Sequence, residues 1–308
     1  CNCRYRSRWL RLACRRKWEK SSRCWHYRKT SRWTFLLCKG VAHMDSLHIV
    51  ILAIVQGLTE FLPISSSAHL VLLPQLLNWS DQGLVFDVAV HFGSLIAVLF
   101  YFRHEVWRML CAWIGSLAGG EANQDSLLAW WIIIGTLPAV VVGFLFQHSI
   151  EGSLRAPWIV ASASIIFGIL LWVADRKSIH RRDEYELTLK DVLMIGCCQV
   201  LSLIPGTSRS GITITMALFL GLTRKAAARF SFLLAMPVIF ASGVLQTVRM
   251  VTEVSPIGWG ELALGIALSA VSAGVCIHYF LRLVERTGML PFVIYRVLIG
   301  ILILLLLY

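Results

Sequence analysis

The sequence predicts an all-α polytopic membrane protein. Of its 308 residues, 57% are hydrophobic and 15% are charged, which is more apolar and less charged than a typical soluble domain. Several apolar runs approach or reach the roughly 20 residues that a membrane-spanning helix needs. Because these runs are continuous, they indicate helices and exclude the short alternating segments of a membrane β-barrel.

Six of the apolar runs are predicted to span the bilayer. In chain order they are residues 86–102, 127–146, 157–174, 230–248, 262–283 and 291–308. Two other segments, 47–77 and 189–220, each consist of two shorter apolar arms around a polar centre. We interpret each as a re-entrant helical hairpin, which returns to the side of the membrane that it entered from.

The positions of Lys and Arg predict which loops face the cytoplasm. Twelve of these residues lie in one set of segments, 103–126, 175–190, 221–229 and 282–286, and two lie in the opposite set, 78–85, 147–156 and 249–261. The first set is therefore expected to be cytoplasmic. The two hairpins then enter from opposite faces, each followed by three spans, which predicts an inverted-topology repeat with repeat one at 44–175 and repeat two at 188–308.

Residues 1–43 form a basic leader that is rich in Cys and Trp. They hold 13 Lys and Arg and one acidic residue, whereas residues 44–308 hold 16 of each sign. An arm that binds nucleic acid or lipid would explain this charge. A mis-set start, or a disordered leader, also explains the abrupt change of composition, and it is the interpretation we favour. We expect no nucleic-acid partner and treat 44–308 as a single membrane domain.

The polar centres of the two hairpins resemble each other. The first is QGLTEFLPISSSAH, from Gln56 to His69, and the second is QVLSLIPGTSRSG, from Gln199 to Gly211. In both, a Gln is followed by a short apolar stretch, a Pro and a cluster of hydroxyl residues. Hairpins that enter from opposite faces would bring these centres together near the bilayer midplane, where irregular backbone is tolerated only inside protein or beside a wet cavity.

The second centre has the chemistry of a phosphate-binding site. Its residues Gly206, Thr207, Ser208, Arg209 and Ser210 come directly before an apolar helix. The N-terminus of a helix attracts phosphate through its N–H groups and dipole, and a guanidinium matches phosphate oxygens. The alternative is that the serines only cap the helix and that Arg209 pairs with a structural carboxylate. An intramembrane Arg is nevertheless a functional candidate by default.

The first centre supplies groups for hydroxyl attack with proton transfer. It contains Glu60, Ser65, Ser66, Ser67 and His69, which offer a nucleophile, an imidazole and a carboxylate. Alternatively, the serines cap the next helix, the imidazole only packs, and Glu60 neutralises a buried cation. So many polar groups between two apolar arms favour a reaction site.

Together the two motifs resemble the signature pair of the bacterial undecaprenyl-pyrophosphate phosphatase family associated with bacitracin resistance. The resemblance runs from about residue 44 to residue 308 and leaves the leader unmatched. It implies an enzyme that removes the terminal phosphate of undecaprenyl pyrophosphate and so recycles the lipid carrier for cell-wall synthesis. It also implies a multi-pass protein of the bacterial inner membrane whose site opens to the periplasmic side.

The resemblance places Glu60, Ser66, His69, Ser208 and Arg209 on the essential motif positions of the family. Three positions depart from the usual pattern, since Gln56 stands for Glu, Ala68 for Gly and Ser67 for Thr. A glutamine cannot supply negative charge, so we interpret Gln56 as a hydrogen-bonding partner within the site.

We expect Ser66 to attack the terminal phosphorus, with His69 or Glu60 taking the proton and Arg209 stabilising the phosphoryl charge. The alternatives are His69 as the nucleophile, or water activated by Glu60. The remaining substrate-binding candidates are the polar residues beside these groups: Gln56, Ser65, Ser67, Gly206, Thr207, Ser208 and Ser210.

Mg²⁺ or Ca²⁺ is expected mainly on the substrate phosphates, because Glu60 is the only obvious protein ligand for a metal. We expect no organic cofactor. The other expected partners are the bilayer, the lipid substrate and a second copy of the chain in a homodimer.

A rival function is a flippase for undecaprenyl phosphate, because inverted repeats with midplane hairpins are a transporter architecture. A nucleophile beside a base favours hydrolysis, since binding alone needs neither. Two further polar features lie outside the two motifs. Asp87 and His91 are expected to cap their span or to pair locally. Arg296 is expected to snorkel towards the cytoplasmic interface, with a role in the site as the alternative.

Deleting residues 1–43 should leave membrane insertion and phosphate release unchanged, because no apolar periodicity ties the leader to the predicted spans. Both quantities can be compared between the full and the shortened chain. Loss of both on deletion would show that the leader is part of the working protein.

Overall fold

The computed structural model describes residues 46–77, 79, 82–146, 156–250 and 258–307. The leader lies outside the described residues. Within the described ranges the chain forms eleven α-helices and no β-strand. They are α1 (Ser46–Phe61), α2 (Ser66–Leu76), α3 (Gly83–Tyr101), α4 (Arg103–Leu117), α5 (Gln124–Leu145), α6 (Pro157–Lys177), α7 (Leu189–Val200), α8 (Arg209–Phe219), α9 (Arg224–Met250), α10 (Trp259–Thr287) and α11 (Leu290–Leu307).

Five of the described helices, α3, α5, α6, α9 and α10, are long and apolar enough to cross a membrane. The other predicted span coincides with α11, which is apolar but shorter, as is α1. Large apolar side chains such as Phe100, Phe144 and Val271 stay exposed on the spans, as expected where lipid surrounds the helices. The predicted all-α polytopic membrane class is confirmed.

Each predicted hairpin is a pair of helices interrupted by irregular backbone. In the first, α1 ends at Phe61 and α2 begins at Ser66; in the second, α7 is followed by a 3₁₀ turn, Leu201–Leu203, before α8 begins at Arg209. At about 1.5 Å per residue, α2 and α8 are roughly 17 Å long, too short to cross a bilayer. The structure therefore contains both helix–break–helix units, while their inverted orientation stays a prediction.

The two breaks share a backbone feature. Ser65 and Ser208 are the N-cap residues of α2 and α8, and both have positive φ angles, 71° and 69°. Each lies nine residues beyond its hairpin's glutamine, since 65 − 56 and 208 − 199 both equal nine. Positive φ is uncommon for a residue with a side chain, so its recurrence at equivalent positions supports the predicted duplication.

The segment 103–126, expected to be a loop, contains helix α4. Within it only Met109 is buried, while Trp107, Leu110 and Ile114 are exposed. Because of its charged residues and narrow buried face, the segment has no continuous apolar run, so the hydropathy pattern does not indicate this helix. Helix α4 packs against α5, which begins after an Asn123 capping box.

Ion pairs bring together three of the four segments that are expected to be cytoplasmic. Arg229 contacts Glu184 at 2.6 Å and Glu105 at 2.9 Å, and Arg224 contacts Asp175 at 2.6 Å. We call these five residues the charge-rich end of the helix bundle. Their contacts put the segments on one face, as the distribution of Lys and Arg predicts. Which side of the membrane this end faces stays a prediction.

Small residues let α1 and α3 approach α10 closely, as is common between membrane helices. A side chain at Gly57 would collide with the carbonyl oxygen of Ser269, and one at Gly93 with that of Ile266. The Ser269 hydroxyl also donates to the carbonyl of Val90 at 2.6 Å. This packing fixes α1, the helix that carries Gln56 and Glu60.

The orientation can be tested with single cysteines in a chain whose nine native cysteines are replaced. A cysteine at Asp183, beside the charge-rich end, should react with a membrane-impermeant maleimide only after the cells are opened. One at Trp259, in a segment expected to be external, should react in intact cells. External labelling at residue 183 would contradict the predicted topology.

Candidate active site

A buried ion pair joins the centres of the two hairpins. Arg209 Nη2 lies 2.6 Å from Glu60 Oε1, and their side chains are 14% and 6% exposed. The hydroxyl of Ser210 also donates to the backbone carbonyl of Leu62 at 2.9 Å. The centres, 149 residues apart in the chain, thus meet as the sequence predicts.

The second oxygen of Glu60 holds the candidate nucleophile. Ser66 Oγ donates to Glu60 Oε2 at 2.6 Å, and Gln56 Nε2 donates to the same atom at 2.8 Å. A carboxylate that already accepts the hydroxyl hydrogen is placed to take the proton when the oxygen attacks. The predicted role of Gln56 as a hydrogen-bonding partner agrees with this geometry.

The backbone at both breaks turns sharply so that these side chains can meet. The positive φ at Ser65 directs the chain into α2, whose first residue is Ser66, and the positive φ at Ser208 does the same before Arg209. Such conformations are strained and persist where the surroundings enforce them, often at functional sites. Ser208 Oγ also accepts from the N–H of Gly211 at 3.1 Å and so caps α8.

A cavity of about 350 Å³ lies between the two centres. Its polar lining comes from both hairpins, from α3 and from α9: Glu60, Ser65, Ser66, Ser67, Asp87, His91, Ser202, Ser208, Arg209, Ser242 and Gln246. Its apolar walls include Leu84 and Val88 of α3 and Val238 and Ile239 of α9. The cavity reaches the start of α3 and the C-terminal half of α9, so it lies away from the charge-rich end. It therefore offers polar groups to a phosphate and apolar walls to a lipid.

Three of the predicted binding residues hold the breaks together and do not line this cavity. The carbonyl groups of Gly206 and Thr207 accept hydrogen bonds from Arg296, and Ser210 bonds to Leu62. Gly206 has a positive φ, 93°, and a Cβ at this position would collide with the carbonyl oxygen of Val160, so there is no room for a side chain.

His69 is not brought to Ser66 and Glu60. Its Nδ1 is bonded to the carbonyl of Ser65 at 2.7 Å and its Nε2 to the hydroxyl of Tyr295 at 2.5 Å. It lines a separate apolar cavity between α2 and α11. Residues three apart lie on the same face of a helix, but the contacts with the Ser65 carbonyl and with Tyr295 occupy both ring nitrogens of His69, so neither bonds to Ser66. Of the two expected proton acceptors, the geometry favours Glu60.

His91 is the imidazole that the structure places in the cavity. Its Nδ1 is bonded to the carbonyl of Asp87 at 2.7 Å, and its Nε2 lies 3.6 Å from Glu60 Oε2. The local pairing expected from the sequence is therefore present, through the backbone of Asp87, but the other ring nitrogen faces the reaction centre. A histidine inside an apolar span is a sequence feature that could have indicated a site residue. Its four-residue spacing from Asp87 indicated a local role instead.

The described side chains do not fit a protein-held metal ion. Both oxygens of Glu60 are engaged by Arg209, Ser66 and Gln56. No group of three or more His, Cys, Asp and Glu side chains that could hold a metal occurs within the described ranges. The predicted role of Glu60 as a metal ligand thus receives no support from the geometry.

Comparison with known proteins agrees with these motifs. Residues 49–302 match the family described as "Bacitracin resistance protein BacA". The chain belongs to the BacA family. It is 55% identical over 260 residues to "Undecaprenyl-diphosphatase 2" of Stutzerimonas stutzeri (strain A1501), a match that covers 83% of this chain and 96% of the relative.

Other BacA relatives match to a similar extent. The chain is 52% identical to "Undecaprenyl-diphosphatase" of Teredinibacter turnerae, covering 84% of this chain and 98% of the relative. It is 55% identical to the protein of the same name from Chromohalobacter salexigens, covering 85% and 98%. The resemblance inferred from the two motifs is confirmed.

Arg209→Lys should reduce turnover strongly in a folded protein. Lysine keeps the charge but loses the planar fork that reaches Glu60 and the Ala235 carbonyl together. Loss of one charge-assisted hydrogen bond, roughly 1.5–3 kcal/mol, corresponds to about 10- to 150-fold in rate if the bond acts only in the transition state.

The measurement is phosphate release from a polyprenyl pyrophosphate. Arg224→Lys is the matched control, because Arg224 forms the same kind of pair with Asp175 at the charge-rich end; its turnover should stay near wild type. Wild-type turnover in folded Arg209→Lys would show that Arg209 takes no part in the chemical step.

Proposed function

We propose that this chain is an integral-membrane phosphatase that hydrolyses undecaprenyl pyrophosphate to undecaprenyl phosphate and phosphate. This activity recycles the lipid carrier for cell-wall synthesis and confers bacitracin resistance. The BacA match and relatives named undecaprenyl-diphosphatase at 52–55% identity support the proposal. The structural observation that carries it is Ser66 Oγ held 2.6 Å from Glu60 Oε2, beside Arg209.

In the proposed first step, Ser66 Oγ attacks the terminal phosphorus and its proton passes to Glu60. The bond from that phosphorus to the bridging oxygen breaks, and undecaprenyl phosphate leaves. Arg209 and the N-terminus of α8 lie where they can stabilise the charge of the transferred phosphoryl group. The ion pair with Arg209 also keeps Glu60 ionised, and so able to accept the proton, before the attack.

In the proposed second step, water attacks the phosphoserine. The bond between phosphorus and Ser66 Oγ breaks, phosphate leaves, and the proton on Glu60 returns to the serine oxygen. Mg²⁺ or Ca²⁺, as expected from the pyrophosphate, would be carried by the substrate oxygens, as hard cations often are.

Two observations support the proposed orientation in the membrane. The basic segments favour a cytoplasmic charge-rich end, and the cavity lies away from that end. Both support a site that opens to the periplasmic side, in the bacterial inner membrane that the family resemblance implies. The homodimer expected from the sequence stays a prediction.

Ser66→Ala should lower phosphate release by orders of magnitude while lipid-pyrophosphate binding is retained, because it removes the attacking oxygen and leaves Arg209 in place. Because Ser66 and Glu60 act in one step, adding Glu60→Gln should cost little beyond the worse single change. The measurements are phosphate release and substrate binding for the wild type, both single variants and the double variant.

Ser116→Ala is the matched control, since among the described residues its hydroxyl bonds only to the local carbonyl of Trp113. Near-normal hydrolysis by folded Ser66→Ala would show that the attacking group is not Ser66, and would favour water activated by Glu60. A wild-type protein that binds and transports the lipid without releasing phosphate would instead favour the flippase.

A further inference from the structure

Arg296 is a buried cation in helix α11. The sequence predicted that it would snorkel to the membrane interface, and that prediction is wrong, because its residue exposure is 0%. A buried guanidinium is costly unless its hydrogen-bonding groups are satisfied. The partners of this side chain therefore indicate why it is present.

Those partners are backbone carbonyls from three separate segments. Arg296 Nη2 donates to Gly206 at 2.9 Å and to Thr207 at 2.7 Å, both in the second break. Its Nη1 donates to Pro63 in the first break at 3.4 Å, and its Nε donates to Ser164 of α6 at 3.2 Å. No carboxylate contacts the guanidinium among the described residues. The side chain thus satisfies carbonyl groups that the two helix breaks leave without helical partners.

The carbonyls in the two breaks lie close to a reacting group in the sequence. Pro63 precedes the candidate nucleophile Ser66 by three residues, and Thr207 precedes Arg209 by two. Arg296 does not line the cavity between the hairpin centres. It can therefore influence a substrate there only through the backbone that it holds.

We propose that Arg296 is a positioning residue that holds the two hairpin breaks in register, so that Ser66 and Arg209 face the same phosphoryl group. The inference rests on the proposed phosphatase function. A misplacement of about 1 Å can reduce the rate of an aligned reaction about 100-fold. The planar fork of arginine suits a bridge between two loops, whereas lysine is a point donor.

Arg296→Lys keeps the charge and removes the bridge. We expect kcat to fall on the order of 10- to 100-fold with little change in KM, because alignment matters most in the transition state. Gly168→Ala provides a second variant that keeps every charge. A Cβ at Gly168 would lie 3.2 Å from Arg296 Cβ and 3.7 Å from its Nε, and the nearest atoms to it all belong to Arg296. The added methyl group should displace the Arg296 side chain. We therefore expect a smaller fall in kcat, again with little change in KM.

Gly274→Ala is the matched control, because a Cβ at this helical glycine would have nothing within 4 Å.

A second readout does not depend on activity. Spin labels on cysteines at the exposed positions Leu77 and Leu201, in a full chain without its native cysteines, report the separation of the hairpins. The distribution of label distances should broaden in Arg296→Lys and in Gly168→Ala, and stay unchanged in Gly274→Ala.

Wild-type kcat in folded Arg296→Lys would overturn the proposal, as would a loss of kcat with an unchanged distance distribution. If Arg296→Lys does not reach the membrane, Gly168→Ala decides the question by the same two readouts. If the wild type released no phosphate, the proposed function would fail. The label distances would still show whether Arg296 aligns the hairpins.

Discussion

The ion pair between Glu60 and Arg209 is the interaction on which the site depends. It joins two hairpins that are far apart in the sequence, and both side chains are almost fully buried. Removing one partner of a buried pair leaves an uncompensated charge and typically costs about 3–5 kcal/mol. The same pair orients the carboxylate that accepts the hydrogen of Ser66. One contact therefore holds the hairpins together and prepares the reaction.

The helix breaks create a second requirement, since carbonyl groups inside an apolar body need donors. Arg296 supplies them to both breaks, and the hydroxyl of Ser210 supplies another to the first. These bonds support the positive φ angles of Ser65 and Ser208, a conformation that is costly for residues with side chains. This backbone conformation persists because the breaks are bonded to side chains of the surrounding helices, Arg296 of α11 and Ser210 of α8.

The two histidines show how far motif spacing can be used to predict a site. His69 lies three residues from Ser66, and its place in the motif suggested a role in proton transfer. Helix α2 instead turns it towards Tyr295. His91 lies in a different helix and in no motif, yet its Nε2 is 3.6 Å from Glu60. The direction of a side chain depends on the helix that carries it, and its neighbours depend on how the helices pack.

The sequence by itself determined the fold class, the hairpins, the shared face of the basic segments, and the likeness of both motifs to the BacA family. These features follow from hydropathy, charge and local motifs, which are properties of neighbouring residues. Only the tertiary structure decided that Arg296 is buried between the breaks, that His91 faces the reaction centre, and that His69 does not. Those outcomes depend on the rotation and packing of helices that are distant in the chain. The energy of a buried charge is set by the groups that surround it in space.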